Sequence, residues 1–244
     1  MYHSVYFGEK NTWDDWHLIP VSRPVILPPN VKTNYVDIPG ADGHSDLTEA
    51  LTGSVLYKTR TGSLEFYVDN DYREFIEWEH LYSEIMDYLH GKQMKLILED
   101  DPNFYYDGRF NVNTWKSEKD YSRIVIDYDV YPYKTYRYTS AEEWLWDPFD
   151  FLIGIVRDYS HIRINGTVTI PVIGSKKTEI PKFFVTLDNE NNPIIMRWNK
   201  NTSVDYPLQT GLTKFPDIKI GNETVEFTFM GNGIISIDYR GGGL

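Results

Sequence analysis

The chain of 244 residues contains no cysteine. That absence excludes disulfides, thiolate nucleophiles and cysteine-based zinc sites together. Basic residues are also in short supply, 24 Lys and Arg against 36 Asp and Glu, for a net charge of −12. A protein that grips nucleic acid neutralises phosphates with clustered Lys and Arg, and no such cluster occurs, so nucleic-acid binding is not expected. No apolar run reaches the roughly eighteen residues of a membrane span. Met1-Tyr2-His3-Ser4-Val5-Tyr6 lacks a basic region followed by an apolar one, so no secretory signal is read and synthesis in the cytoplasm is expected. Recognisable catalytic signatures are missing too. There is no Gly-x-Ser-x-Gly elbow, no phosphate-cradling loop followed by Lys-Ser/Thr, and no histidine pair at helical spacing with a glutamate between. His80 and His90 are ten residues apart, on different turns of the helix read there. No cofactor and no metal are expected.

What is present is apolar and aromatic. Hydrophobic residues make up 41% and aromatic residues 16%, enough for a sizeable core in one large or two ordinary domains. Acidity is uneven. Residues 141–244 hold 10 Lys/Arg and 13 Asp/Glu, so of the total of −12 a net −9 falls on residues 1–140. From Tyr72 to His90 the apolar residues Phe75, Ile76, Leu81, Ile85, Met86 and Leu89 recur at three- and four-residue spacings, which predicts an amphipathic helix stopped by Gly91. Lys95–Glu99 then reads as a strand, Asp100-Asp101-Pro102-Asn103 as a turn, and Phe104–Asn113 as a further strand. The paired carboxylates of Asp100 and Asp101 beside a proline are assigned to turn capping rather than to acid chemistry or a metal. Tyr121–Tyr131 alternates apolar and polar positions and predicts a long strand.

Upstream, Val5–Val21 carries Trp13 and Trp16 in a strand and turn, and Pro24, Pro28 and Pro29 belong on a sheet edge or in a connection, since proline donates nothing to a ladder. Thr33–Thr61 mixes short strands with turn residues and is too polar for a core of its own. Downstream, Ser140-Ala141-Glu142-Glu143 resembles a capped helix start, and the domain junction is placed near Ala141. Beyond it, short strands at Ile162–Asn165, Thr167–Val172, Lys182–Leu187, Ile194–Trp198, Asp217–Ile220 and Glu223–Phe229 alternate with turns at Asn165-Gly166, Asn189–Asn192 and Gly221-Asn222. That spacing, without crossover helices, predicts an antiparallel sandwich. The run Gly241-Gly242-Gly243 reads as a tail.

Three segments carry a family resemblance. Asp87-Tyr88-Leu89-His90-Gly91-Lys92 with Lys95–Arg109 and Val130-Tyr131-Pro132-Tyr133-Lys134 resembles the N-terminal domain of the distal tail (Dit) proteins of long-tailed bacteriophages that infect Gram-positive bacteria. Ile38-Pro39-Gly40-Ala41-Asp42-Gly43 and the Asp46–Gly53 run after it resemble that family's glycine-rich turn and the acidic segment following it. Phe227–Gly233 and Ile234–Arg240 resemble the closing strands of its C-terminal galectin-like sandwich. The resemblance implies a mostly β chain: residues 1–140 as a sandwich-like, ring-forming domain with one α-helix and an extended arm, and 141–244 as a galectin-like antiparallel β-sandwich. It also implies a structural, non-catalytic role at the distal end of a phage tail, assembled in the host cytoplasm. Copies would close into a ring, a homohexamer by analogy, joining the tail-tube protein to the tip protein and possible receptor-binding proteins. Ile38–Thr52 is the arm candidate, with Ile38, Asp46, Leu47 and Leu51 as its interface residues and an ordinary surface loop as the alternative. An acidic bore would let DNA pass without sticking.

The competing class is a non-catalytic carbohydrate-binding sandwich for attachment to host surfaces. Aromatic rings stack on the apolar faces of sugars, and the second domain offers Trp144, Trp146, Tyr159, Trp198 and Tyr206, of which Trp198 and Tyr206 are the platform candidates. A glycosidase needs only two carboxylates about 5–10 Å apart, a signal without specificity in so acidic a chain.

Overall fold

A computed structural model describes residues 3–68, 78–117, 122–142 and 158–244. The chain is mostly β, built from antiparallel strands with one helix among the described residues, and it divides into two compact units, Met1–Lys134 and Thr135–Gly243.

The first unit centres on one antiparallel sheet. Its strands are β1 (Val5–Phe7), β2 (Lys10–Asn11), β3 (Leu18–Pro20), β6 (Arg60–Val68), β7 (Gln93–Leu98), β8 (Phe104–Ser117) and β9 (Ser122–Val130), in the spatial order β2-β1-β7-β8-β9-β6-β3. β6 and β9 alternate strictly, with Leu64, Phe66, Ile124, Ile126, Tyr128 and Val130 turned inward. The helix α1 (Trp78–Leu89) closes that face with Leu81, Ile85 and Leu89, which join Phe7, Trp16 and Phe110 in one buried cluster. Each such side chain contributes about 1.5–3 kcal/mol by leaving water. The expected helix start at 72–77 lies outside the described residues. The expected stop stands: Gly91 adopts φ 74° and its N–H donates to the Phe110 carbonyl at 2.8 Å. His90 Nδ1 accepts from the Val112 N–H at 3.2 Å, where the β8–β9 register shifts.

Between β3 and β6 the chain leaves this sheet and returns. Pro24, Pro28 and Pro29 lie in an irregular connection, and the excursion carries a small hairpin of β4 (Tyr35–Asp37) and β5 (His44–Asp46) in which no residue is buried.

In the second unit the spine is β16 (Val225–Asp238), paired along one edge with β11 (Ile162–Val172) over its whole length. Along its other edge β16 pairs first with β13 (Ile194–Trp198), then with β12 (Lys182–Leu187), and β14 (Asn201–Leu208) and β15 (Gly211–Lys214) flank these. The curled sheet wraps Phe183, Phe227, Phe229, Ile235 and Ile237. Asn165-Gly166, expected to be a hairpin turn, lies inside one continuous strand. Gly166 sits opposite Gly231 at φ 78°, and the Asn232 side chain accepts its N–H at 3.3 Å, so the pair marks a kink and not a reversal. Past the kink, a Cβ on Gly233 would lie 2.5 Å from the Thr186 carbonyl. Asp217–Ile220, expected as a strand, contributes only an isolated bridge from Ile220 to Glu179, while β14 and β15 were not anticipated.

Two further corrections concern ends. Ser140 is buried, and its hydroxyl is engaged by the last long strand: it donates to the Ile237 carbonyl at 2.6 Å and accepts from the Tyr239 N–H at 2.7 Å. The expected Glu143 partner lies outside the described residues. The terminal glycines are not a loose tail. β17 (Gly242–Gly243) pairs with β10 (Lys134–Tyr136), the Gly242 N–H donates to Ser175 Oγ at 3.1 Å, and a Cβ on Gly241 would approach that Oγ to 2.8 Å.

Candidate functional site

The excursion in the first unit begins at a fixed root. The Leu27 N–H donates to the Tyr128 hydroxyl at 3.0 Å, and the Leu27 carbonyl accepts from Arg60 Nη1 at 3.3 Å. Arg60 also donates through Nε to the Pro132 carbonyl at 2.8 Å, with its guanidinium 5.3 Å from the Tyr106 ring centroid. This side chain is 5% exposed, faces no carboxylate in these contacts, and leaves Nη2 buried without a partner. Burial pushes its pKa down, and the nearby tyrosines offset part of that. Gly62 makes the arrangement possible, because a Cβ there would fall 2.4 Å from the Tyr128 hydroxyl that crosses it.

From this root two limbs run outward side by side. The Lys58 N–H donates to Asn30 O at 2.7 Å and the Lys32 N–H to Leu56 O at 2.8 Å, around a bridge between Val31 and Tyr57. The Leu47 N–H donates to Asn34 O at 2.9 Å, and the hairpin then pairs Tyr35 with Asp46, Val36 with Ser45 and Asp37 with His44. Gly40 and Gly43 supply the left-handed positions of the tip at φ 83° and 79°. Asp46 accepts the Thr48 N–H at 2.9 Å, and these Thr48 contacts hold its carboxyl below the usual range.

The structure gathers all four interface candidates on this excursion. Ile38, Asp46 and Leu47 are exposed, and Leu51 is 93% exposed on the turn after β5. Eight of the nineteen exposed large apolar residues lie between Leu27 and Leu56, which makes this the apolar concentration of the described surface. Residues 33–57 hold Asp37, Asp42, Asp46 and Glu49 with no Lys or Arg. A two-stranded hairpin without a core is marginal in water, and a concentration of exposed apolar side chains marks a contact surface. The arrangement offers side chains and strand edges to a partner and brings no nucleophile, base or metal ligands together. Among the described residues, no group of three or more His, Asp or Glu is placed to hold a metal ion, and no helix is long and apolar enough to cross a membrane.

The sugar-platform candidates are placed differently. Trp198 and Tyr206 belong to the core of the second unit, with their ring faces covered, so the pair presents no face to a sugar. The Tyr206 hydroxyl donates to Asp217 at 2.5 Å, which pushes the phenol pKa up, and its ring meets Phe215 edge-on at 4.9 Å. Tyr159 is buried too, its hydroxyl accepting the Ile173 N–H at 2.9 Å. Trp144 and Trp146 lie outside the described residues.

Asp100 and Asp101 do occupy a turn, with the Asp101 N–H on Leu98 O at 3.0 Å. They also tie distant segments, which sequence reading missed. Asp100 meets His3 Nδ1 at 2.8 Å and Arg23 Nε at 2.7 Å, and Asp101 meets Lys134 Nζ at 2.5 Å. Arg60 was missed as well; a lone arginine at the start of an alternating strand carries no signal that its charge is buried.

No protein-family model matches the chain, and no curated protein matches it. Among solved structures the chain is similar to the Dit protein (gp 19.1) of phage SPP1, described as a paradigm of the hub adsorption apparatus in phages infecting Gram-positive bacteria. The two share 12% identity over 97% of this chain and 98% of that one, with a TM-score of 0.61. The chain therefore has a Dit-like fold.

Proposed function

We propose that this protein is a structural hub component at the distal end of a phage tail, in which copies join head-to-tail into a closed ring. The observation that carries this reading is the exposed apolar, acidic arm on a clamped root, in a chain whose fold is similar to that of a phage hub protein over 97% of its length. The ring, a hexamer by analogy, would stack on the tail-tube protein on one side and on the tip protein on the other, leaving the second unit for receptor-binding proteins. Its role would be geometric, converting a tube into a platform, with no catalytic step. An arm on one face and its acceptor on another give a heterologous interface, which cyclic symmetry closes. The acidic first unit suits a bore through which DNA passes.

Arm variants test the reading. Leu47→Asp and Leu51→Asp should leave the monomer folded and abolish rings seen by light scattering and electron microscopy. Normal assembly of both variants would remove the arm from the interface.

A further inference from the structure

β6 begins where β9 ends, with Arg60 opposite Val130, and from this fork two stretches of chain diverge. One is the arm, which leaves at Leu27 and returns at Lys58. The other is residues 131–134, the last of the first unit before the chain passes into the second at Thr135. Arg60 holds both. Its Nη1 donates to the Leu27 carbonyl at 3.3 Å and its Nε to the Pro132 carbonyl at 2.8 Å. A guanidinium is a rigid planar fork, so it fixes the two carbonyls relative to each other, which the point charge of an ammonium does not. The stretches it joins are stiff. Leu27 and Tyr131 each precede a proline, Pro28 and Pro132, which restricts both neighbouring backbones.

A second contact runs beside the first. The Tyr57 ring, on the returning limb, meets the Tyr133 ring edge-on at 6.1 Å. Outgoing and returning limbs therefore grip adjacent residues, Pro132 through Arg60 and Tyr133 directly. The same stretch is tied to the body of the sheet. The Tyr131 N–H donates to the Asp107 carbonyl at 2.8 Å, and Lys134 Nζ meets Asp101 at 2.5 Å and lies 4.1 Å from the Phe104 ring centroid. Burying a guanidinium that faces no carboxylate in these contacts is costly. An apolar side chain could fill the space, but only a forked donor reaches both carbonyls.

We infer that Arg60 is a positioning residue that makes the arm and residues 131–134 one cooperative element, so that ordering the arm also orders the stretch leading into the second unit. Ordering one part leaves less conformational entropy to lose in the other, which couples them without a change of shape. The consequence between copies rests on the reading of the arm as an intersubunit element: a neighbour that holds the arm stiffens the lead into the second unit of the same copy. The coupling itself is a property of one chain.

The absence of native cysteine allows the arm to be ordered at will. Asp37 and His44 are exposed and directly opposite on the hairpin, so Asp37→Cys with His44→Cys gives a disulfide that closes it on oxidation and releases it on reduction. Amide exchange is read in both forms at Lys32 and Lys58 in the limbs, at Tyr131, and at Thr12, whose N–H donates to the Val5 carbonyl at 2.9 Å, as a reference. Oxidation should slow exchange about tenfold at Lys32 and Lys58 and at least about threefold at Tyr131, and leave Thr12 unchanged. With Arg60→Met added, the limbs should still respond and Tyr131 should not. Arg60→Lys, which keeps the charge but not the fork, should give a response at Tyr131 between these two. A Tyr131 amide that is indifferent to oxidation while Lys32 and Lys58 slow overturns the inference. An equal response at Tyr131 with Arg60 and with Arg60→Met overturns Arg60 as the link. Both redox forms are compared at one concentration and at the same mass by light scattering, so failure of the ring reading would leave this outcome unchanged and remove only its consequence between copies.

Discussion

In the second unit, β11 and β16 pair over eleven residues from Ile162 to Val172, and inward positions such as Ile164, Val172, Phe227 and Phe229 are buried. In the first unit the arm also runs as two hydrogen-bonded limbs, yet its hairpin residues Tyr35–Asp37 and His44–Asp46 include none that is buried. Both ribbons satisfy their backbones in the same way, so the ladder does not distinguish them. Burial does. One ribbon is held by the core it helps to build. The other keeps its apolar side chains largely in water, where they contribute little to the monomer and remain available to a partner.

Substitutions should separate the two ribbons sharply. Phe227→Ala, at a fully buried site, should cost about 3–5 kcal/mol and lower the denaturant midpoint of the second unit's transition. A change below about 1 kcal/mol would mean that this ribbon is not held by its core. Leu51→Asp should leave the melting curve within about 0.5 kcal/mol of the parent. The same change should weaken self-association by about 2 kcal/mol, roughly thirtyfold, as for a contact at the heart of an interface. Equal losses of stability and association would erase the contrast.

The arm's root sharpens the comparison, because there a core side chain holds an exposed segment. Tyr128→Phe removes the acceptor of the Leu27 N–H and should cost about 1 kcal/mol, with faster amide exchange at Leu27 than at Ile126 of the same sheet. The smallest effect expected is electrostatic. His3 first, and Arg23 second, hold the Asp100 carboxyl below its ordinary range. A carboxylate whose folded pKa is depressed binds protons more readily when unfolded, so its stabilisation is complete above the unfolded value near 3.9 and is lost as pH falls through the folded value. Asp100→Asn should therefore flatten the acid limb of the stability profile.

How much of this was legible in the residues follows the same division. Where one face is buried, periodicity reports it: α1, β12, β13 and the alternation of β9 follow from apolar spacing alone. Asn165-Gly166 misled because positive φ is shared by hairpin turns and by kinks inside a ladder, and only the opposite strand, here Gly231-Asn232, separates them. Ser140 and Gly241–Gly243 looked like a cap and a tail because their partners, Ile237, Tyr239 and Ser175, are distant in sequence. The excursion was legible in the residues as short strands and turns too polar for a core, while its reading as an arm came from the resemblance. Its root was not, since the burial of Arg60 depends on Leu27, Tyr106 and Pro132 meeting in space. Trp198 and Tyr206 show the converse: aromatic residues suggest a binding face until burial assigns them to a core.

The central claim, self-association through the arm, is tested most directly by native mass spectrometry of the purified protein across a concentration series, run beside Leu51→Asp. The account predicts one discrete multiple of the 28.6 kDa subunit, sixfold by analogy, that disappears in the variant. A mass fixed at one subunit throughout, or a multimer that survives Leu51→Asp unchanged, would contradict it.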